Sequence, residues 1–476
     1  MKVICTARQC RIVEATQPEK LAADRALSIR HPKFMFMQAY RSGCWNGVIR
    51  FIRGRRFPAG LLHVLIRKLQ KKGFYVEIEY EGVETLPSVK ATPDMLFGIQ
   101  LRDKQIEAID KLVEVKRCIF DGITSSGKTE VMAGVIKALG MPKTLVLIKG
   151  IQLMSQTAER LSLRLQAEVG LIHEGTAEFD AQVVVCSIDT LARRLEDQKF
   201  ARWLETEVKV VFADECHLVP GKTFSTCLEA VGAAYRYGLS ATALDVDNQL
   251  ANLTLIGQTG EIAARITFQD QIQRGLIDIP NIFFKTVGGF NELKHHDKND
   301  DYLSAYNEGA IELGQKNASI VDDCLWFAAH KLPTLILVEK RRHGRLIQSN
   351  LQAAGLRSRY MDGNTSVDAR RGAVREFARG VLQVIVTTRI FNVGVDIPAI
   401  KAIILADEGV TPRKTIQQVG RGMRITPGLP KVLYVRDYVN QTCQYLLEHS
   451  LARVRVYKGT KAYVVHKRDT PLKWVA

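Results

Sequence analysis

Nine short, uninterrupted apolar runs constrain this chain more than any other feature. Five of them, Cys118–Asp121, Leu145–Ile148, Val183–Cys186, Val208–Ala213 and Tyr237–Ser240, alternate with helical stretches from about Pro93 onward. After a polar stretch a second series follows: Leu335–Val338, Val384–Thr388, Ala402–Ala406 and Val432–Val435. A strand with one solvated face alternates apolar and polar residues, whereas a strand covered on both faces is apolar throughout. Each series therefore reads as a parallel sheet covered by helices, and the chain as an α/β protein with two successive domains. The polar segment Asn291–Tyr302 reads as a loop between them, and its His295, His296 and Asp297 as a charged loop rather than a metal site.

The residues before these series have a different character. No Asp or Glu occurs between Arg25 and Val76, while the same window holds twelve Lys and Arg residues. Arg50, Arg53, Arg55 and Arg56 are among them, and Phe34, Phe36, Tyr40, Trp45, Phe51 and Phe57 are interleaved. Gly47–Ile52 and Tyr75–Tyr80 alternate like strands, and Leu61–Lys72 has helical periodicity ending at Gly73. This is a small basic α+β module suited to phosphates and stacked bases. With 476 residues, three domains are expected, at 1–90, 91–265 and 266–476.

Gly122-Ile123-Thr124-Ser125-Ser126-Gly127-Lys128-Thr129 matches G-x-x-x-x-G-K-[ST] in full, after a strand and before the helical run Glu130–Leu139. Phosphates need a backbone that comes close and N–H groups aimed inward, which the glycines and a helix N-terminus supply. Lys128 would reach the β- and γ-phosphates of ATP, and Thr129 would ligate Mg²⁺ through its hydroxyl. Further on, an apolar strand ends in Asp214-Glu215-Cys216-His217. Asp214 would hold Mg²⁺ opposite Thr129, and Glu215 would orient the attacking water.

The order of motifs from Arg102 to Arg424 resembles that of superfamily-two helicases, whose fold is a pair of tandem RecA-like P-loop domains. By that resemblance Arg102 and Gln105 read adenine, and Ser240-Ala-Thr242, with His217, couples hydrolysis to strand movement. Thr387-Thr388 … Gly394-Val-Asp396-Ile-Pro398 is similar to the fifth motif, where Gly394 and Asp396 face the nucleotide. Gln417-Gln-Val-Gly420-Arg421-Gly-Met-Arg424 matches Q-x-x-G-R-x-x-R, the sixth. Gln417 joins the coupling set, and Arg421 and Arg424 would enter from the second domain as arginine fingers. Lys149, Gly150, Ser187, Thr190, Thr388 and Arg389 would hold the nucleic-acid backbone. The acidic motif departs from the DEAD pattern by ending in Cys-His, which favours DNA over RNA.

The N-terminal sequence Ser42-Gly-Cys-Trp45-Asn-Gly47-Val-Ile-Arg50-Phe, followed by Pro58-Ala-Gly60 and Gly73-Phe-Tyr75, resembles phage branch-migration helicases of the UvsW type. The resemblance implies an ATP-dependent DNA helicase acting on forks and junctions in replication, recombination or repair. An RNA helicase, or an ATPase that clamps DNA without separating it, are the competing readings. Ile262–Tyr302 and the basic tail Arg453–Lys473 are candidates for the segment that parts the strands.

Composition agrees with a polyanion partner: 67 Lys and Arg against 50 Asp and Glu give a net charge of +17. The nine cysteines form no Cys-x-x-Cys pair, so no structural metal is expected. Without a long apolar run or secretory signal, no membrane partner is expected and the location is cytoplasmic, that of the host if a phage encodes the chain.

Overall fold

All nine apolar runs lie on strands of two large sheets in the computed structural model. The structure describes residues 1–123, 125–173, 175–245, 248–293, 302–388, 400–409, 412–423, 425 and 431–475. Contacts divide the chain into two units, Met1–Ile123 with Gly127–Ile266, and Thr124–Ser126 with Thr267–Ala476.

The first unit begins with strands β1 (Lys2–Cys5) and β2 (Gln9–Glu14), then β3 (Ser28–Arg30), β4 (Val48–Arg50), β5 (Arg56–Pro58) and β6 (Glu77–Tyr80). They form a four-stranded sheet ordered β5-β2-β1-β6 and a separate antiparallel ribbon of β3 and β4. Helices Gln17–Ala26 and Leu62–Gln70 pack against each other in the same module. The first starts at a reciprocal cap between Thr16 and Glu19, and the second stops before Gly73 at φ 79°.

The remainder of the unit is an eight-stranded sheet. Its strands are β7 (Arg117–Gly122), β8 (Thr144–Ile148), β9 (Val169–His173), β10 (Thr176–Ala177), β11 (Val183–Ser187), β12 (Val210–Asp214), β13 (Tyr235–Ser240) and β14 (Ile262–Ile266). The order is β10-β9-β11-β8-β12-β13-β7-β14, parallel except for the β10–β9 pair. Core residues cover both faces: Phe120, Val146, Phe212 and Tyr237 on one side, and Leu145, Leu147, Val184 and Val211 on the other.

The basic module is not a separate bead on this sheet. Leu253 and Ile256 of helix Gln249–Thr259 belong to the module's own apolar core, beside Leu61 and Leu65. Gly60 lies so close to the carbonyls of Ile256 and Gly257 that any Cβ would collide with them. Arg67 spans to Glu261 with hydrogen bonds of 3.0 and 2.7 Å, and Arg8 reaches Glu205 at 2.7 Å.

The second unit is a seven-stranded, wholly parallel sheet of β15 (Ile279–Val287), β16 (Thr334–Leu337), β17 (Ser358–Met361), β18 (Val384–Thr387), β19 (Ala402–Leu405), β20 (Val432–Asn440) and β21 (Val464–Val465). The order is β17-β18-β16-β19-β20-β15-β21. Both sheets are thus of the parallel, helix-covered kind that tandem RecA-like domains have.

Parts of both strand-parting candidates are taken up by the fold. Ile262–Ile266 and Ile279–Val287 are sheet strands, and their backbone is committed to ladders. His295, His296 and Asp297 lie outside the described residues. Arg453, where the basic tail begins, is fully buried: Nε and Nη2 bond Asp437 at 3.0 Å each, and Nη2 reaches Glu408 at 3.3 Å. Glu408 also pairs with buried Lys316, and Tyr457 donates to Asp437 at 2.8 Å. Four charges out of water are tolerable only because each is paired.

Removing one partner should therefore be costly. Arg453→Met is expected to destabilise the second unit by about 3–5 kcal/mol, since Asp437 would stay buried without its cation. Urea unfolding of wild type and variant measures this, and a difference below about 1 kcal/mol would contradict the assignment.

Candidate active site

The phosphate loop leaves the sheet at the carboxyl end of β7 and enters helix Lys128–Ala138. Gly127 precedes that helix at φ 83°, in the left-handed region, and a Cβ there would strike the amide nitrogen of Gln105. Ser125 is also left-handed, at φ 70°, and Ser126 is buried. Lys128 folds back so that its Nζ donates to the Gly122 carbonyl at 3.1 Å. Gln105 is buried, and its Oε1 accepts the Arg102 N–H at 3.0 Å. That hydrogen bond caps helix Asp103–Val115 and packs the glutamine against the loop.

Asp214 ends β12, two strands from β7 with β13 between. Part of its side chain reaches solvent, yet the packed protein around it and the adjacent Glu215 carboxylate raise its pKa to about 6. The Glu215 N–H donates to Asp214 Oδ1 at 3.0 Å. Glu215 itself is left-handed, at φ 48° and ψ 50°, a conformation costing a non-glycine residue about 1 kcal/mol. That turn aims its carboxylate at His217, whose Nδ1 is 3.2 Å from Oε2. The Ser240 hydroxyl at the end of β13 donates to the same Oε2 at 3.4 Å and lies 3.1 Å from His217 Nδ1. It also accepts the Thr242 N–H at 3.2 Å. Glu215, His217, Ser240 and Thr242 are thus brought together as one hydrogen-bonded cluster.

These residues fit a magnesium nucleotide. A backbone loop with no room for a Cβ, a helix N-terminus and a lysine whose Nζ donates to a carbonyl and, among the described residues, forms no ion pair suit an anion. A carboxylate whose pKa is raised by burial and by the adjacent Glu215 carboxylate suits a cation, which the Thr129 hydroxyl would share. Bound ATP would supply the reactive γ-phosphoryl group; Lys128 would neutralise its charge, and Glu215 would orient water toward it.

Other anticipated residues are placed less decisively. Lys149 is exposed, and Gly150 starts helix Ile151–Leu165 at φ 103°. Ser187 and Thr190 are only 4% and 7% exposed, so their hydroxyls are covered. Thr388 is nearly buried, and its N–H bonds the Met361 carbonyl at 3.4 Å. Thr124, Arg389, Gly394, Asp396 and Arg424 lie outside the described residues. Gln417 and Arg421 fall on helix Pro412–Gly422, of which only the backbone is described at those positions.

In the basic module, Arg53, Arg55 and Arg56 are exposed around a tight turn. The Arg53 and Arg56 backbones exchange hydrogen bonds of 2.8 and 2.9 Å, while Gly54 and Arg55 have φ of 52° and 67°. Two successive left-handed residues make this a hairpin turn. Arg50 is paired with Asp24 at 3.2 Å.

Two features escaped the motif reading. Glu130, one turn into the P-loop helix, is buried and holds Arg160 at 2.6 Å. Asp121 bonds Arg265 at 3.3 Å immediately before the loop, and burial raises its pKa. The second was visible as an acid closing an apolar run; the first carried no signal.

Two family models match the chain. "Type III restriction enzyme, res subunit" covers residues 98–245, and "Helicase conserved C-terminal domain" covers residues 316–426. With the two RecA-like sheets and the phosphate loop, they define an ATP-dependent helicase or translocase. The chain belongs to superfamily two of the helicases. A DNA 3'-5' translocase XPB2 of Sulfurisphaera tokodaii is 24% identical over 73% of this chain and 83% of its own length. The DNA-bound structure of the ATP-dependent Type ISP restriction-modification enzyme LlaBIII aligns with TM-score 0.56 and 14% identity. That alignment covers 75% of this chain and 30% of the enzyme. The crystal structure of T4 UvsW aligns over 98% of both chains, with 19% identity and TM-score 0.46.

The raised pKa of Asp214 has a sign that can be tested. Folding favours its protonated form, so the stability cost sets in above the usual carboxylate pKa and is complete above about pH 6. Asp214→Asn is expected to raise stability at pH 7.5 by about 1 kcal/mol, allowing for partial exposure, and to change it little at pH 4. Thermal melts at both pH values check this; a variant less stable than wild type at pH 7.5 would refute it.

Proposed function

We propose that this protein is an ATP-driven DNA motor that unwinds or branch-migrates forked and junction DNA. The observation that carries the proposal is a continuity of contact. Glu215 of the acidic pair accepts from Ser240, Thr242 follows, and the next helix, Gln249–Thr259, forms part of the basic module's core. A change at the nucleotide is thus joined through the end of β13 and the helix that follows it to a surface suited to phosphates.

In this reading ATP binds with Mg²⁺ at Lys128, Thr129 and Asp214, and Glu215 orients the water. Arg421 and Arg424 of the sixth motif lend positive charge to the transition state, a role worth about 10³–10⁵ in rate in related chemistry. Hydrolysis loosens grip on one strand, and the basic module retains the branch. The archaeal relative's description as a DNA translocase supports DNA as the track, as does the acid-free stretch Arg25–Val76.

Lys128→Ala is expected to reduce DNA-stimulated ATP hydrolysis at least 100-fold while leaving DNA affinity within about twofold. Unimpaired turnover in that variant would remove the proposed site. Wild-type protein should displace strands from forks and four-way junctions faster than from plain duplex. Stronger stimulation by structured RNA would redirect the assignment to an RNA helicase, and turnover without displaced strands would make it a clamp or remodeller.

A further inference from the structure

Between β3 and β4 the chain makes an excursion, residues 31–47, that stands apart from the module's core. Its base is closed by the ribbon and by the His31 N–H bonding the Gly47 carbonyl at 2.9 Å. Inside it, Phe34 and Tyr40 meet edge-to-face at 4.7 Å, and Arg30 lies over the Phe34 ring at 4.9 Å. Gly47, at φ 78°, leaves room for that ring: a Cβ would stand 2.9 Å from Phe34 Cδ2. The Trp45 indole N–H bonds the Val48 carbonyl at 2.9 Å, and Arg41 Nε bonds the Met35 carbonyl at 3.1 Å. The excursion is therefore a braced knob with its own aromatic support.

What the brace holds up is unusual. Met35, Phe36 and Met37 are 59%, 73% and 41% exposed, on a short 3₁₀ turn at Phe34–Phe36 and its exit. Three consecutive large apolar side chains in water are costly unless something covers them. The surroundings say what kind of partner that is. Lys33 and Arg41 are exposed within the knob, Arg30 at its base, and none is paired with a carboxylate among the described residues. No Asp or Glu occurs anywhere from Arg25 to Val76. A protein partner rich in acids would suit the charges but not the apolar tip. A nucleic-acid branch suits both: phosphates for the cations, and the open face of the last unpaired base for an aromatic ring with flexible thioethers beside it.

We propose that this knob is the strand-parting element, with Phe36 stacking on the base at the branch point and Met35 and Met37 filling the gap left by its lost partner. The inference rests on the proposed action on branched DNA and replaces both segments that the sequence suggested for this task. Plain duplex offers no unstacked base, so the knob discriminates branch from linear DNA, while Lys33 and Arg41 hold the backbone on either side.

The test uses the full chain and a fork carrying 5-iodouracil at the branch nucleotide, a base that photo-crosslinks to aromatic side chains stacked upon it. Mass spectrometry of wild-type protein should place the crosslink at Phe36. Phe36→Ser should abolish it and weaken fork binding about tenfold relative to plain duplex, as loss of one stacking aromatic does. Strand displacement per ATP hydrolysed should fall with it, and Phe36→Trp should restore both. Phe36 is exposed, so neither change threatens the fold. A crosslink elsewhere, or a fork preference unchanged in Phe36→Ser, overturns the proposal and leaves the knob to a protein partner. Binding and crosslinking need no turnover. A wild-type protein that crosslinks at Phe36 but shows no DNA-stimulated hydrolysis would therefore refute the motor and keep the knob.

Discussion

The register of three parallel strands is the constraint on which the nucleotide site depends. Asp214 on β12 lies level with Leu239 on β13, and Ser240 lies level with Asp121 on β7. One residue past Asp121 the phosphate loop begins. This places Ser240 between the loop and the acidic pair, where its hydroxyl reaches Glu215. A slip of one residue would turn every side chain of a strand to the opposite face. Asp214 would point away, and Phe212 and Tyr237 would exchange one packed layer for the other. Forcing these side chains into a layer shaped for others costs about 1–3 kcal/mol each in mispacking, so the apolar runs hold register against more than the roughly 1 kcal/mol spent on the left-handed Glu215.

The same frame explains why the basic module belongs to the first unit. Helix Gln249–Thr259 follows the Ser240-Ala-Thr242 segment and presents Leu253 and Ile256 to the module. At Gly60 the two backbones meet without an intervening side chain. A surface fixed in this way cannot drift on a linker, and whatever it holds keeps its distance from the ATP-binding sheet. Precision of that kind is needed if a branch is to be presented consistently to a motor.

Much of this was legible in sequence because it depends on residue type at short range. Buried parallel strands need continuous apolar runs, and a phosphate loop needs glycine at fixed positions, so β7, β12 and β13 and the residues Gly122–Thr129 stood out. What was not legible depends on distant partners. β15 contains Asn281, Lys285 and Thr286 and alternates weakly, so it is not among the nine apolar runs; only pairing with β20 along nine residues makes it a strand. Ser187 and Thr190 have the right types for backbone contact, but their exposure is decided by helices far along the chain. The knob at 31–47 was visible as aromatic and basic residues, yet the contacts by which Phe34 braces it and the exposure of Phe36 at its tip were not.

Burial also corrects the meaning of the net charge. Arg236 is buried, with its guanidinium spent on the carbonyls of Leu228, Val231 and Ala233. Arg453 and Lys316 are consumed by Asp437 and Glu408, Lys401 by Asp278, and Arg436 by Asp323. The four ion-paired cations exert little field outside the protein, because their carboxylate partners cancel them at contact distance. Each pair takes one cation and one anion out of reach, so the net charge of +17 stands, and burial changes only where it lies. In the acid-free stretch Arg50 and Arg67 are paired with Asp24 and Glu261, whereas Arg30, Lys33, Arg41, Arg53, Arg55 and Arg56 are exposed with no carboxylate partner among the described residues. Attraction for a polyanion is set by charges that reach solvent uncompensated, and in the acid-free stretch these include the hairpin turn at Arg53–Arg56 and the cations around the apolar-tipped knob.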